Sequence, residues 1–148
     1  MLGREVLAVD TYEVQPIGWV KSPLVDPATA PKQGDEGAPD AWLVIESAAR
    51  RGIAEITVGS ELIVLTWLDR AQRDVLAVHP RGDENQPLTG VFSTRSPDRP
   101  NPIGLHTVQV LEIDDLRIKV RSLEALDGTP IVTPIVEVKP ILGPLEQR

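Results

Sequence analysis

Six short segments rich in Val, Ile, Leu and Thr constrain the fold of this 148-residue chain more than any other feature. Clusters of Gly, Pro or Asp bound these segments, as strands require, and they cover residues 14–20, 41–46, 61–67, 103–113, 116–123 and 131–138. Asp114-Asp115 separates the fourth and fifth segments and predicts a hairpin. Strands at this spacing predict a mainly β, single-domain fold whose antiparallel sheet is closed or nearly closed. Short helical turns, such as one at Ser47–Gly52, and long loops, such as residues 26–40, complete the prediction.

Composition excludes several classes of protein. The chain has no cysteine, which rules out disulfides and cysteine metal sites. His79 and His106 are its only histidines, too few for an all-protein zinc site, so we predict no metal. No apolar run approaches the roughly 20 residues of a membrane span, and the N-terminus lacks the pattern of a signal peptide. We therefore expect a cytoplasmic protein with no membrane partner.

The most specific motif is GVFSTRSPDRPNPIGL at residues 90–105. The eight positions 95–102, which we call the arginine loop, include three prolines, two arginines and an asparagine. Each proline fixes its own φ and pushes the preceding residue toward an extended conformation, so the loop is stiff. Ordering two guanidinium groups costs conformational entropy, which favours a binding role. The alternative is a structural turn with a surface pair between Arg99 and Asp98.

A second motif is LEALDGTP at residues 123–130, followed by Lys139-Pro140. Asp-Gly with a proline close behind predicts a tight turn between strands. Together with the arginine loop, this motif resembles the TsaA-domain family, which includes the TrmO, YaeB and VirR-like proteins. The resemblance covers about residues 15–141, nearly the whole chain.

The resemblance implies a β-barrel, a homodimer and a methyltransferase that uses S-adenosyl-L-methionine. The acceptor that it implies is N6 of threonylcarbamoyladenosine next to the anticodon of a tRNA. The residues alone do not point to this cofactor, because the chain lacks a glycine-rich turn of the Rossmann type. A loop arginine nevertheless suits the cofactor's carboxylate, and backbone or carboxylate oxygens suit its sulfonium.

Matched by position, the resemblance also implies the site residues. Its cofactor contacts fall on Pro31, Lys32, Gln33, Asp69, Arg70, Arg95, Leu105, Asp127, Gly128, Thr129 and Pro130. Lys32 and Asp69 depart from the family's Arg and His. Arg70 and Lys32 would otherwise be solvated charges, and Leu105 would be a core residue. Among catalytic candidates, Asp127 would accept the proton of the acceptor nitrogen, while Arg99 and Asn101 would hold a phosphate or the threonyl carboxylate.

Charge leaves the partner open. The net charge of −7 argues against simple nucleic-acid binding, yet residues 50–106 are neutral, with seven arginines and seven acids. Longer family members carry a C-terminal accessory domain, which we do not expect here, because few residues follow Lys139-Pro140. Alternatives are therefore a non-catalytic S-adenosyl-L-methionine-binding module, a methyltransferase acting on a small molecule or nucleotide, and a barrel without a ligand.

Two further features bear on the strands. Thr129–Val132 (TPIV) is repeated at once as Thr133–Val136, through tandem duplication or through chance. Pro134 in the second copy removes a ladder donor and predicts a sheet edge or a bulge. Trp19, Trp42 and Trp67 lie at strand positions, where core packing is favoured over a role as stacking platforms.

Overall fold

A closed ring of six antiparallel strands forms the body of the protein. The computed structural model describes residues 10–27 and 37–137. Its strands are β1 (Gly18–Lys21), β2 (Ala41–Ile45), β3 (Glu61–Trp67), β4 (Ala77–Val78), β5 (Thr89–Gly90), β6 (Ile103–Asp114), β7 (Arg117–Val120) and β8 (Pro130–Val136). The ring follows the order β1-β2-β7-β6-β3-β8, and β8 pairs back onto β1. The predicted antiparallel β-barrel is confirmed. β4 and β5 form a separate two-stranded sheet.

The described part of the chain has three short 3₁₀ segments and no longer helix. They span Ser47–Ile53, Pro80–Gly82 and Val91–Ser93. The helical turn predicted at Ser47–Gly52 is confirmed. No helix within residues 10–27 and 37–137 has the length and apolar character needed to cross a bilayer.

Aliphatic side chains fill the interior of the barrel. Alternate residues of each strand point inward, as the pleat requires, and the fully buried ones include Val20, Leu43, Leu62, Val64, Val110, Ile118, Val120 and Ile131. Burying each such side chain contributes about 1.5–3 kcal/mol to folding. This interior is the hydrophobic core that holds the ring together.

The three tryptophans lie outside this core, so the prediction of core packing is wrong. Trp19 is 42% exposed, and Trp42 and Trp67 are only half-buried. Each occupies the opposite phase of its strand from the inward residues, for example Trp42 beside the buried Leu43. A six-stranded ring has room for aliphatic side chains inside, and the large indoles pack on its outer surface.

The predicted strands are present, with shifts at their ends. The first begins at Gly18 rather than residue 14, and the fifth ends at Val120, because Ser122 adopts a positive φ of 52°. The hairpin turn consists of Asp115 and Leu116, since Asp114 still pairs with Arg117. Val138, the predicted end of the last strand, lies outside the described residues.

The TPIV repeat meets a bulge in β8. Leu65 pairs with Thr133 and Thr66 pairs with Ile131, which leaves Val132 as the extra residue. Because a bulge reverses the inward phase, the first copy places Ile131 opposite the buried Thr66, whereas the second places Pro134 opposite the buried Val64. Pro134 also lies beyond the part of β8 that pairs with β1. The predicted edge or bulge is confirmed.

One end of the barrel carries most of the long connections. In an antiparallel ring, the segments that follow β1, β3 and β7 and precede β2, β6 and β8 share one end. We call this end the upper rim; its described residues are 22–27, 37–40, 68–102 and 121–129. Because β7 and β8 lie opposite each other in the ring, residues 121–129, the crossing segment, must span the barrel mouth. Leu123 and Ala125 of this segment are buried in the core.

Candidate functional site

The arginine loop is held together by Arg99. The Arg99 guanidinium donates from Nε to the carbonyl of Ser96 at 2.8 Å and from Nη2 to those of Val91 and Thr94 at 2.9 and 2.7 Å. Hydrogen bonds from a charged donor are roughly twice as strong as neutral ones. Arg99 therefore fixes the loop's shape, and its Nη1 has no partner among the described residues.

A neighbouring turn anchors the arginine loop from outside. The Asp98 carboxylate accepts a hydrogen bond from the Gln72 backbone N–H at 2.9 Å, so the surface pair between Asp98 and Arg99 considered from the sequence is absent from the described structure. Arg73 donates to the Pro100 carbonyl at 2.7 Å and to Asn101 Oδ1 at 3.2 Å. Its guanidinium also lies 5.2 Å from the centre of the Trp67 ring. No sequence pattern pointed to Arg73, because its hydrogen-bond partners Pro100 and Asn101 lie far from it along the chain.

Arg95 and Leu105, both predicted to bind cofactor, contact each other. Arg95 Nη2 donates to the Leu105 carbonyl at 2.9 Å. Leu105 points outward from β6 and is 46% exposed, so core packing is the wrong interpretation for this side chain. Asp69 and Arg70 follow β3 on the same rim and are exposed, with no hydrogen bond or ion pair to another described residue.

The LEALDGTP motif forms a tight turn at the end of the crossing segment. Gly128 has a φ of +83°, a conformation that favours glycine. Thr129 Oγ1 closes the turn by donating to the Leu126 carbonyl at 2.7 Å, and Pro130 begins β8 opposite Trp19. The Gly128 N–H donates to the Val20 carbonyl at 2.7 Å, which fastens the turn to β1.

Asp127 is fastened to the segment that follows β1. Its backbone N–H donates to the Leu24 carbonyl at 2.8 Å, and its Oδ1 accepts the Ser22 N–H at 2.8 Å. Its second carboxylate oxygen has no hydrogen-bond partner among the described residues. The side chain is half-buried, so the turn holds one carboxylate oxygen and leaves the other available.

A cleft opens beside Asp127. Its volume is about 370 Å³, within the range of ligand pockets, and it is lined by Lys21, Ser22, Pro23, Asp40, Trp42 and Asp127. Asp40 resembles Asp127 in its anchoring, because its Oδ1 accepts the Ser122 N–H at 3.0 Å. The cleft thus combines an indole, an ammonium group and two carboxylates. One backbone N–H donates to each carboxylate. Lys21 and Asp40 belong to no motif and are ordinary charges in the sequence, so they were not predicted as site residues.

Cations surround the indole of this cleft. The Arg117 guanidinium lies 4.8 Å and the Lys119 ammonium 5.9 Å from the centre of the Trp42 ring. Cation–π contacts at these distances contribute about 0.5–1 kcal/mol at exposed sites. They fix the orientation of Trp42 on the outer face of β2 and place positive charge beside the cleft.

The candidate site therefore has two parts on one rim. Asp127 and its turn contact β1 and the segment after it, whereas Arg95, Arg99 and Asn101 belong to the arginine loop, which contacts β6 and the turn that carries Arg73. No hydrogen bond joins the two parts directly within residues 10–27 and 37–137. The predicted contacts Pro31, Lys32 and Gln33, together with Lys139-Pro140, lie outside the described residues.

The chain is similar to several known proteins. The family model of the tRNA-methyltransferase O N-terminal domain matches residues 19–144. An S-adenosyl-L-methionine-binding protein of Archaeoglobus fulgidus is 44% identical over 119 residues, which cover 80% of this chain and 84% of that protein. The crystal structure of TrmO from Pseudomonas aeruginosa superposes with a TM-score of 0.63 at 25% identity and covers 87% of this chain.

The matches differ in how much of the other protein they span. A second, probable S-adenosyl-L-methionine-binding protein of Archaeoglobus fulgidus is 42% identical over 128 residues, 86% of this chain but only 33% of its own length. The superposed TrmO chain is matched over 57% of its length. This chain thus spans between about a third and most of the length of the proteins that it resembles.

Proposed function

The chain belongs to the family of the tRNA-methyltransferase O N-terminal domain, and from this premise we propose that it is an S-adenosyl-L-methionine-dependent methyltransferase. The acceptor in this proposal is N6 of threonylcarbamoyladenosine beside a tRNA anticodon, and the protein acts as a cytoplasmic homodimer. The observation that carries the proposal is the upper rim itself. Every described residue that matches a cofactor contact lies on it or at a strand end that meets it, and Asp127 lines a cleft of ligand size there.

The groups on the rim fit the cofactor's chemistry. Arg70 is unpaired within the described structure and Arg95 uses only Nη2, so both have donors for the cofactor's carboxylate. The exposed side chain of Leu105 offers an apolar surface to the adenine face. The turn from Asp127 to Pro130, with Pro31, Lys32 and Gln33, completes the proposed set of contacts. When bound, S-adenosyl-L-methionine supplies a methyl group activated by a sulfonium.

Proton removal falls to Asp127 in this proposal. An acceptor amine must lose a proton when it gains a methyl group, and a positioned carboxylate contributes about 10²–10⁴-fold to such a step. The Ser22 N–H orients Oδ1, while the other oxygen is available to take the proton.

Asn101 and Arg99 would position the acceptor. Because Asn101 Oδ1 accepts from Arg73, its amide N–H groups are left to donate to an anion. Arg99 presents Nη1 next to them on the same loop. Together they would hold a phosphate or the threonyl carboxylate, and such positioning is the main source of rate in a group transfer.

Support for a tRNA partner comes from local charge and from the family. Lys21, Arg117 and Lys119 lie around Trp42 beside the cleft, although the whole chain carries −7. Phosphate contacts release counterions, so tRNA binding should weaken steeply as salt rises.

The experiment that tests this function has two steps. Calorimetric titration with S-adenosyl-L-methionine should give saturable binding of one cofactor per protomer, which Arg95→Ala weakens at least tenfold. Arg50→Ala, on the opposite end of the barrel, is the matched control and should bind normally. Transfer of tritiated methyl to tRNA from a TrmO-deficient strain is then measured. Absence of binding at millimolar cofactor would reject the methyltransferase.

A second candidate is a non-catalytic S-adenosyl-L-methionine-binding module. The names of both Archaeoglobus fulgidus relatives favour it, because they describe binding and no transfer. Binding without transfer to tRNA, small molecules or nucleotides would support this candidate. Transfer to a small acceptor without salt-dependent tRNA binding would instead support a different methyltransferase.

A further inference from the structure

One imidazole lies beneath the upper rim and bonds to two separate elements. His106, on β6, is 5% exposed. Its Nδ1 lies 2.6 Å from Glu124 Oε1 in the crossing segment, and its Nε2 lies 2.8 Å from Thr66 Oγ1 on β3. Thr66 is fully buried, and the Glu124 side chain is 14% exposed. The imidazole thus links three segments of the chain at the barrel mouth.

A single tautomer satisfies all of these groups. In the tautomer that carries its hydrogen on Nδ1, this N–H donates to the Glu124 carboxylate, and Nε2 accepts the hydroxyl hydrogen of Thr66. Burying polar groups is costly unless each is paired, and here each is. The arrangement also depends on Gly104, since a Cβ there would lie 2.7 Å from His106 Nε2. Aliphatic residues fill the remainder of the core without such requirements, which indicates that this polar link serves more than packing.

The three linked segments lead into the two parts of the candidate site. Thr66 lies four residues before Arg70, and His106 directly follows Leu105, whose carbonyl holds Arg95. Glu124 lies three residues before Asp127. The link therefore connects the arginine-bearing part of the rim with the part that carries the proposed base, which share no direct hydrogen bond within the described residues.

We infer that His106 is a positioning residue of the proposed methyltransferase. Through Glu124, it holds the crossing segment at a fixed position relative to β3 and β6, so that Asp127 and Arg95 can contact the same ligand. The inference rests on the proposed function for its ligand. The hydrogen bonds from His106 to Glu124 and Thr66 are independent of that function.

A pair of substitutions separates the two bonds of the imidazole. The amide nitrogen of His106→Asn takes about the position of Nδ1 and can still donate to Glu124. The longer side chain of His106→Gln reaches toward Nε2 and keeps only Thr66. Likewise, Glu124→Gln keeps an acceptor for Nδ1–H, whereas Glu124→Ala removes it. Val108→Ala, which opens a cavity lower on the same strand, is the control for lost stability.

Cofactor affinity is the first measurement. His106→Gln and Glu124→Ala should weaken S-adenosyl-L-methionine binding about tenfold or more, the size expected from losing a buried hydrogen bond. His106→Asn and Glu124→Gln should stay within about threefold of the unmodified protein, and so should Val108→Ala despite its lower melting temperature. If affinity follows melting temperature across all five variants, His106 is a packing residue and the inference is wrong.

Amide hydrogen exchange provides a measurement that does not need the cofactor. The N–H groups of Leu123, Asp127 and Gly128 donate to Pro39, Leu24 and Val20, and they report on the place of the crossing segment. His106→Gln should speed their exchange at least tenfold without affecting the N–H of Leu43 in β2. Unchanged exchange would overturn the inference. A protein that binds no cofactor but shows this change would reject the proposed function and retain the link.

Discussion

The two ends of the barrel differ in what their polar groups do. At the end opposite the upper rim, where β2 connects to β3 and β6 to β7, polar side chains pair with one another. Arg50 bonds to Asp115 of the hairpin, and Thr57 bonds to Ser60 in the turn before β3. On the upper rim, Asp127 and Asp40 each bond to one backbone N–H, and each keeps an oxygen without a described partner.

This difference indicates where the barrel can bind a ligand. Side chains that pair with each other have few free donors or acceptors for a ligand. Side chains oriented by the backbone are fixed in direction and still have a free acceptor. Preorganised groups of this kind lower the cost of binding, because less entropy is lost when the ligand arrives. We therefore expect substitutions on the upper rim to alter function and those at the opposite end to leave it intact.

The largest effect should come from Asp127→Asn. The amide oxygen can still accept the Ser22 N–H, but the side chain no longer takes a proton, so methyl transfer should slow by about 100-fold or more. Cofactor affinity should change less than about threefold. Single-turnover transfer of tritiated methyl measures the rate, with Arg50→Ala at the opposite end of the barrel as the control. Unchanged turnover in Asp127→Asn would remove Asp127 as the base.

An intermediate effect is expected from Arg99→Ala. Three hydrogen bonds from the guanidinium to the carbonyls of Val91, Thr94 and Ser96 disappear, which should lower the free energy of unfolding by about 1–3 kcal/mol. Cofactor affinity should fall as well, because Arg95 lies on the same loop. Thermal unfolding and calorimetry measure the two quantities. Arg70→Ala, which breaks no described bond, should lower affinity alone; equal loss of stability in both variants would contradict the role of Arg99 in the loop.

The smallest effect should come from Arg50→Ala at the opposite end. The hydrogen bond from Arg50 lowers the pKa of the Asp115 carboxyl below its ordinary value. A lowered folded-state pKa stabilises the protein above the unfolded pKa, and this contribution disappears as the pH falls through the folded value. Both groups are exposed, so the melting temperature at neutral pH should change little.

Carboxyl titration by NMR is the direct measurement for this pair. The pKa of Asp115 should rise in Arg50→Ala, and the melting temperatures of the two proteins should converge in acid. A clear loss of cofactor affinity in Arg50→Ala would break the contrast between the two ends.

The sequence predicted the strands because turn residues mark their limits, and the family match confirms the resemblance seen in the arginine loop and LEALDGTP. It could not predict which face of each strand is inside. The runs AWLVI in β2 and ELIVLTW in β3 are apolar at nearly every position, so they lack the alternation that would place Leu43 inside and Trp42 outside.

The site was predictable only in part. The residues matched to the family lie in recognisable motifs, but no motif indicates the hydrogen bonds that shape the site. Arg99 bonds to backbone carbonyls, which every sequence has, and the cleft gathers Lys21, Asp40 and Asp127 from three distant segments. His106 and Glu124 meet because β7 and β8 are opposite strands of the ring, a relation that no local pattern encodes.

The closing of the ring has a consequence for synthesis of the protein. Gly18 near one end of the described chain pairs with Ile131 near the other, so the last seam forms between segments far apart in sequence. Closing such a long loop has a high entropic cost, and this cost lowers the rate of folding. On the ribosome, the arginine loop is synthesised before β8, the strand that closes the barrel. The nascent chain should therefore bind a ligand at the upper rim only after β8 has emerged and paired.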